Sequence, residues 1–220
     1  MAWLVECREV HPFAYEHILS CHDVLDYVFT FDDQLLSMGD KFIKTPIASS
    51  RIIDKHSKIY KKSKDVSFII SNKKWTSGHK LRHELASSLA DDSKIDFWGS
   101  AYRSMPQGSK IIALAEYKYS IVVENSKDKN YFTEKLIDCF RVGTIPIYWG
   151  SNSIDEHFDM GGIMTFNNVH ELDQILSNIS TDDYSKRMKH IKNNYNASTR
   201  WTSMDDTFAI NLQRILNNER

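Results

Sequence analysis

Short apolar runs alternate with amphipathic segments along the whole chain, and the alternation is interrupted once, by the basic polar stretch 56–64 (HSKIYKKSK). Before it, residues 3–6 (WLVE), 27–32 (YVFTFD) and 42–47 (FIKTPI) have the length and apolar content of strands, with the helix-like 12–20 (PFAYEHILS) and 33–39 (DQLLSMG) between them. After it the pattern strengthens. Strands are predicted at 66–71 (VSFIIS), 94–98 (KIDFW), 119–123 (YSIVV), 144–149 (TIPIYW) and 163–166. Helices are predicted over 80–89 and 133–142, and near 169–178, 182–194 and 204–217. Buried-type strands alternating with helices imply parallel βαβ units, with helices covering both faces of a sheet. The lysine-rich stretch between the two regions reads as a solvated loop or helix face, or as a linker that touches phosphate.

Composition narrows the function classes. At 220 residues, 41% hydrophobic and 26% charged, the chain has ordinary material for a globular core. Its 28 basic and 29 acidic residues leave a net charge of −1, without the basic excess of a nucleic-acid binder. Cys7, Cys21 and Cys139 are far apart and odd in number, so neither a disulfide framework nor a Cys-pair zinc site is readable. No apolar run reaches membrane-spanning length and MAWLVECREV is not a signal peptide, so the expected location is cytoplasmic. The acidic pairs are adjacent rather than spaced Asp-x-Asp, and the histidines lack ligand spacing, so no metal is expected.

The chemistry concentrates in 117–150, YKYSIVVENSKDKNYFTEKLIDCFRVGTIPIYWG. A strand ending at Val123 leads through a polar loop to a helix beginning near Thr133, and Gly143 is suited to end that helix. Ligands of open α/β sheets bind at the carboxyl ends of strands, and a first helical turn offers free N–H groups and partial positive charge to phosphate. Glu134 and Lys135 stand on that turn. Asn125 supplies a donor and an acceptor for sugar hydroxyls, Tyr131 a flat face and a hydroxyl.

Val123-Glu124-Asn125-Ser126, then Tyr131-Phe132-Thr133-Glu134-Lys135, then Gly143-Thr144-Ile145-Pro146-Ile147-Tyr148-Trp149-Gly150 resemble in order and spacing the α1,3-fucosyltransferases, glycosyltransferase family ten. The resemblance implies an α/β, GT-B-like fold, a GDP-fucose donor and inversion at the anomeric carbon, with Asn125, Tyr131, Glu134 and Lys135 holding the donor. Upstream, Ile70-Ser71-Asn72 resembles the family's strand ending in Ser-Asn, which leads to a helix with a phosphate-binding arginine. Arg82 is the candidate there, displaced by about one helical turn, and Lys80 or His79 could take the same place. Trp3-Leu4-Val5-Glu6 followed by His11-Pro12 resembles the segment that carries the general base, which makes Glu6 the candidate; Cys7-Arg8 departs from the family pattern.

The expected organisation is a short or truncated N-terminal acceptor-side α/β region (1–62), a complete C-terminal Rossmann-like donor domain (63–200) and a helix (201–220) crossing back to the N-terminal region. The implied function is metal-independent, cofactor-free transfer of fucose from GDP-fucose to a glycan acceptor. A homo-oligomer, or a partner completing the N-terminal domain, would supply what the short region lacks. A donor-binding module without transferase activity and a GT-B transferase using another nucleotide sugar are the alternatives.

Overall fold

Val, Ile and Phe are the commonest residues in the strands of two parallel sheets, and this computed structural model describes residues 1–106 and 109–217 of the chain. The first sheet holds β1 (Ala2–Trp3), β2 (Val28–Thr30) and β3 (Phe42–Lys44) in that order, with Trp3 opposite Phe29 and Phe29 opposite Ile43. Helices α1 (Pro12–Cys21) and α2 (Asp33–Leu36) connect these strands. Tyr15 and Ile18 from α1 and Leu35 from α2 are buried against Leu4, Val28 and Phe42 as a small separate core. The strand expected over 3–6 is shorter than its apolar pattern suggested. Pairing with β2 ends one hydrogen bond past Trp3, at Leu4, and the chain then turns around the Cys7 carbonyl, which accepts from Val10 and His11.

The second sheet has the order β5-β4-β6-β7-β8, formed by β4 (Lys64–Ile69), β5 (Ile95–Trp98), β6 (Tyr117–Val123), β7 (Ile145–Trp149) and β8 (Met164–Thr165). All seven residues of β6 are buried. Alternation along β6 and β7 sends Tyr119, Ile121, Val123, Ile145 and Ile147 to one face, against α3 (Ser77–Ser88) and the later α6 (Val169–Asn178). Val122 and Tyr148 face the other side, against α4 (Ile111–Leu114) and α5 (Glu134–Val142). Helix α5 ends as expected at Gly143, whose φ of 73° is the left-handed conformation of a helix C-terminus.

Packing departs from the sequence pattern at three further places. The helix near 182–194 is two helices, α7 (Thr181–Lys186) and α8 (Met188–Ser198), because Arg187 leaves helical geometry while its guanidinium bonds Asp183 and the Gly161 carbonyl. The short α4 was not foreseen; its IIAL run is too brief for a period to show. The 56–64 stretch is not a fully solvated face. Lys62 Nζ is drawn inward, donating to the carbonyls of Ala115 (2.9 Å) and Val142 (2.8 Å) and to Thr144 Oγ1 (2.9 Å). The final helix, α9 (Met204–Leu216), crosses to the first sheet. Its Phe208 ring stacks on Trp3 with centroids 4.6 Å apart and meets Phe29 edge-on, and Asn211 bonds Lys44 and Thr45 at the end of β3.

Candidate active site

From β4 the chain moves outward to β5, then returns past β4 to β6, so the strand order reverses between β4 and β6. A crevice opens at the carboxyl ends of strands at such a switch point. A cavity of about 460 Å³ lies there, lined by Ser71 and Lys73 beyond β4, Asn125 beyond β6, and Glu6 from the first sheet's side. The two elements forming its floor approach very closely. Gly78 N–H donates to the Asn125 carbonyl at 2.9 Å, and a Cβ on Gly78 would sit 1.7 Å from the Glu124 carbonyl oxygen. Only glycine permits that approach, which brings α3 against the loop after β6.

Arg82 lies on the face of α3 that this approach turns inward. It is 5% exposed, donates through Nε and Nη2 to the Val123 carbonyl, and donates through Nη2 to Asn125 Oδ1 at 3.0 Å. Of the three candidates for this position, Lys80 is exposed and lies outside the cavity lining. His79 lines it, but its ring closes the capping box of α3 with Thr76, and burial with Arg82 nearby lowers its pKa to about 4, leaving it neutral. Arg82 is therefore the cation that α3 brings to the cavity.

Tyr131 bridges the two sheets. Asn125 Nδ2 donates to its hydroxyl at 3.3 Å, and the hydroxyl donates to Glu6 Oε2 at 3.4 Å. Burial, then the charge of Glu124, pushes this phenol far above its usual pKa, so it remains a proton donor. Glu6 sits on the loop after β1 rather than at the strand end, because β1 is short. That loop is braced nonetheless: Tyr15 donates to the Glu6 carbonyl at 2.7 Å, and Arg8 makes a two-toothed pair with Asp32 at 2.7 and 2.8 Å. Arg8, a departure from the family pattern, thus anchors the turn that carries Glu6.

The N-terminus of α5 is more occupied than expected. Glu124, fully buried, accepts from Thr133 N–H (2.9 Å), Thr133 Oγ1 (2.7 Å) and Lys135 Nζ (3.2 Å). The first of the orphan N–H groups therefore meets a protein carboxylate, and Lys135 is aimed by an ion pair. Glu134 faces the cavity with Lys110 at 3.1 Å and Lys135 at 3.8 Å from Oε1. Burial would raise its pKa, but Lys135, then Lys110, hold it well below the usual carboxylate range, so it is ionised.

Glu6, Arg82, Asn125, Tyr131, Glu134 and Lys135 all line this one cavity; Asn72 does not. Asn72 is exposed on the loop after β4, its backbone N–H bonded to Ser100, because that loop turns its neighbours Ser71 and Lys73 inward. Sequence reasoning missed Glu124, Lys110 and Asp138. Glu124 stood inside the quoted motif without a role, and Lys110 lies in a segment without periodicity. No group of three or more His, Cys, Asp or Glu side chains among the described residues is arranged to hold a metal ion.

Two parallel α/β sheets with a cavity between their carboxyl ends give this protein the architecture of the GT-B fold. The chain belongs to glycosyltransferase family 10 (fucosyltransferase), whose C-terminal family model matches residues 59–211. It is 39% identical over 82 residues to the alpha-(1,3)-fucosyltransferase FucT of Helicobacter pylori, covering 37% of this chain and 16% of that protein. Over 73 residues it is 36% identical to a 4-galactosyl-N-acetylglucosaminide 3-alpha-L-fucosyltransferase, FUT6, of Gorilla gorilla gorilla, covering 32% of this chain and 20% of that protein. The aligned segments thus span a fifth or less of these relatives. In fold, a crystal structure of an alpha1,3-fucosyltransferase with GDP-fucose superposes with a TM-score of 0.61 at 20% identity, over 89% of this chain and 71% of that one.

Proposed function

We propose that this chain binds GDP-fucose in the cavity between its sheets and transfers fucose, with inversion, to a hydroxyl of a glycan acceptor. The observation that carries the reading is the convergence of Glu6, Tyr131, Asn125, Arg82, Glu134 and Lys135 on one cavity at the strand switch point. Glu134 and Asn125 hold the sugar hydroxyls. Arg82 and Lys135 lie beside the diphosphate and stabilise the negative charge that grows on it as it leaves. The Glu6 carboxylate takes the proton of the acceptor hydroxyl, whose oxygen attacks the anomeric carbon from the face opposite the diphosphate. A carbon–oxygen bond to the acceptor forms, the bond to the diphosphate breaks, and GDP departs.

Fixed cations supply the neutralisation, so the proposed reaction needs neither a metal nor a cofactor. Three free thiols, two of them buried, suit the reducing cytoplasm that is part of this proposal. The test uses calorimetric titration with GDP-fucose beside a transfer assay on a panel of glycan acceptors. Glu6→Gln should bind GDP-fucose within about twofold of the wild type while transfer falls by about 10²–10⁴, the usual weight of a general base. Wild-type rates in that variant would place the base elsewhere. Donor binding with no transfer to any acceptor would favour a binding module.

A further inference from the structure

Lys110 stands at the start of α4, its carbonyl accepting from Ala113 at 3.0 Å, and its Nζ bridges two carboxylates one helical turn apart on α5. One is Glu134, at 3.1 Å, and the other is Asp138, at 3.0 Å. Acidic side chains at i and i+4 share a helix face and repel each other unless a cation lies between them. Asp138 is fully buried and cannot swing away. Its Oδ1 accepts from Ser50 Oγ (2.9 Å), Arg51 N–H (2.7 Å) and Ile52 N–H (3.3 Å), which ties the segment between the two sheets to α5. Oδ2 is left for Lys110. The Lys110 ammonium is thus held by an immobile carboxylate and in turn holds Glu134, and all three side chains line the cavity.

We infer that Lys110 is a positioning residue for donor recognition: anchored on Asp138, it sets the carboxylate of Glu134 against the sugar moiety of the nucleotide sugar. The inference rests on the proposed donor reading and adds a division of labour to it. Arg82 and Lys135 serve the diphosphate, whereas Lys110 serves the sugar through Glu134. Removing Lys110 frees the Glu134 carboxylate from its anchor, so it no longer holds its place against the sugar, while Arg82, bonded to the Val123 carbonyl, and Lys135, bonded to Glu124, stay in place for the nucleotide.

The test is calorimetric titration of wild type, Lys110→Met and Lys110→Arg with GDP and with GDP-fucose. For Lys110→Met, GDP affinity should stay within about threefold while GDP-fucose affinity falls about tenfold or more, the weight of one charge-assisted hydrogen bond. Lys110→Arg, whose forked guanidinium can bridge both carboxylates, should recover most of the difference. Equal losses for the two ligands, or no loss for either, overturn the inference. So does an arginine variant that fails to restore GDP-fucose binding. Wild type binding neither ligand would instead overturn the donor reading beneath it. Should Lys110→Met fail to fold, Lys110→Gln, neutral but able to hydrogen-bond, is read by the same criteria.

Discussion

Replacing Glu124 by Gln removes one negative charge from a site where every contact of the side chain is known. The carboxylate is fully buried and accepts from Thr133 N–H, Thr133 Oγ1 and Lys135 Nζ. An amide keeps an acceptor for the Thr133 N–H, and the Thr133 hydroxyl can turn to accept instead. The contact that cannot be kept is with Lys135, where an NH₂ would face an ammonium. Losing a hydrogen bond between charged partners costs about 1.5–3 kcal/mol, and the lower half of that range applies because Lys135 retains some solvent and can rehydrate. Glu124→Ala goes further, leaving the buried Thr133 N–H unpaired and the Thr133 hydroxyl, which still accepts from Lys135 Nζ, without an acceptor of its own, for a total of about 3–5 kcal/mol. Urea unfolding monitored by circular dichroism measures both. A cycle combining Glu124→Gln with Lys135→Met should give a coupling of about 1–2 kcal/mol, since the two side chains touch. A Gln variant within about 0.5 kcal/mol of wild type, together with a coupling near zero, would refute the claim that this carboxylate organises the start of α5.

Two further outcomes follow from packing and burial. Phe208→Ala strips α9 of its contact with Trp3 and Phe29; at a half-buried position it should cost about 1–3 kcal/mol in unfolding free energy, and a loss below about 0.5 would mean that α9 does not anchor on the first sheet. Burial depresses the Lys62 pKa from 10.5 to about 7, so between those values the unfolded chain binds the extra proton and stability rises with pH. Compared with Lys62→Met, the wild type should gain about 1–3 kcal/mol between pH 7 and pH 10, and a flat difference would show that the ammonium is retained throughout.

Much of this protein is written locally. Short apolar runs specify the strands of the second sheet, because β6, the middle of β4 and most of β7 are buried on both faces and consist mainly of Val, Ile and aromatic residues. The run from Glu124 to Gly150 places a strand end, a capped helix start and a left-handed helix end in order, so Asn125, Tyr131, Glu134 and Lys135 were legible as a group. Thr133, through its side-chain cap, and Gly143, through its left-handed backbone, announce the limits of α5 locally. Even the placement of Glu6 at the cavity was accessible, through the residues around it.

Contacts between distant segments carried no such signal. Nothing local distinguishes Glu124 from a solvent-facing glutamate; its burial depends on Thr133 and Lys135 returning to it. Lys62 and Lys110 look like surface lysines until the helix ends around the first and the paired carboxylates of α5 around the second are assembled. Arg82 could be chosen over Lys80 and His79 only once the Gly78 contact had fixed how α3 rotates against β6. Asn72 fails for the same reason, since the turn after β4 decides which of its residues face inward. Hydrophobic period and turn chemistry act over a few residues and are present in the sequence. The partners of a buried charge are set by how helices and sheets pack, and that is decided only when the whole chain has folded.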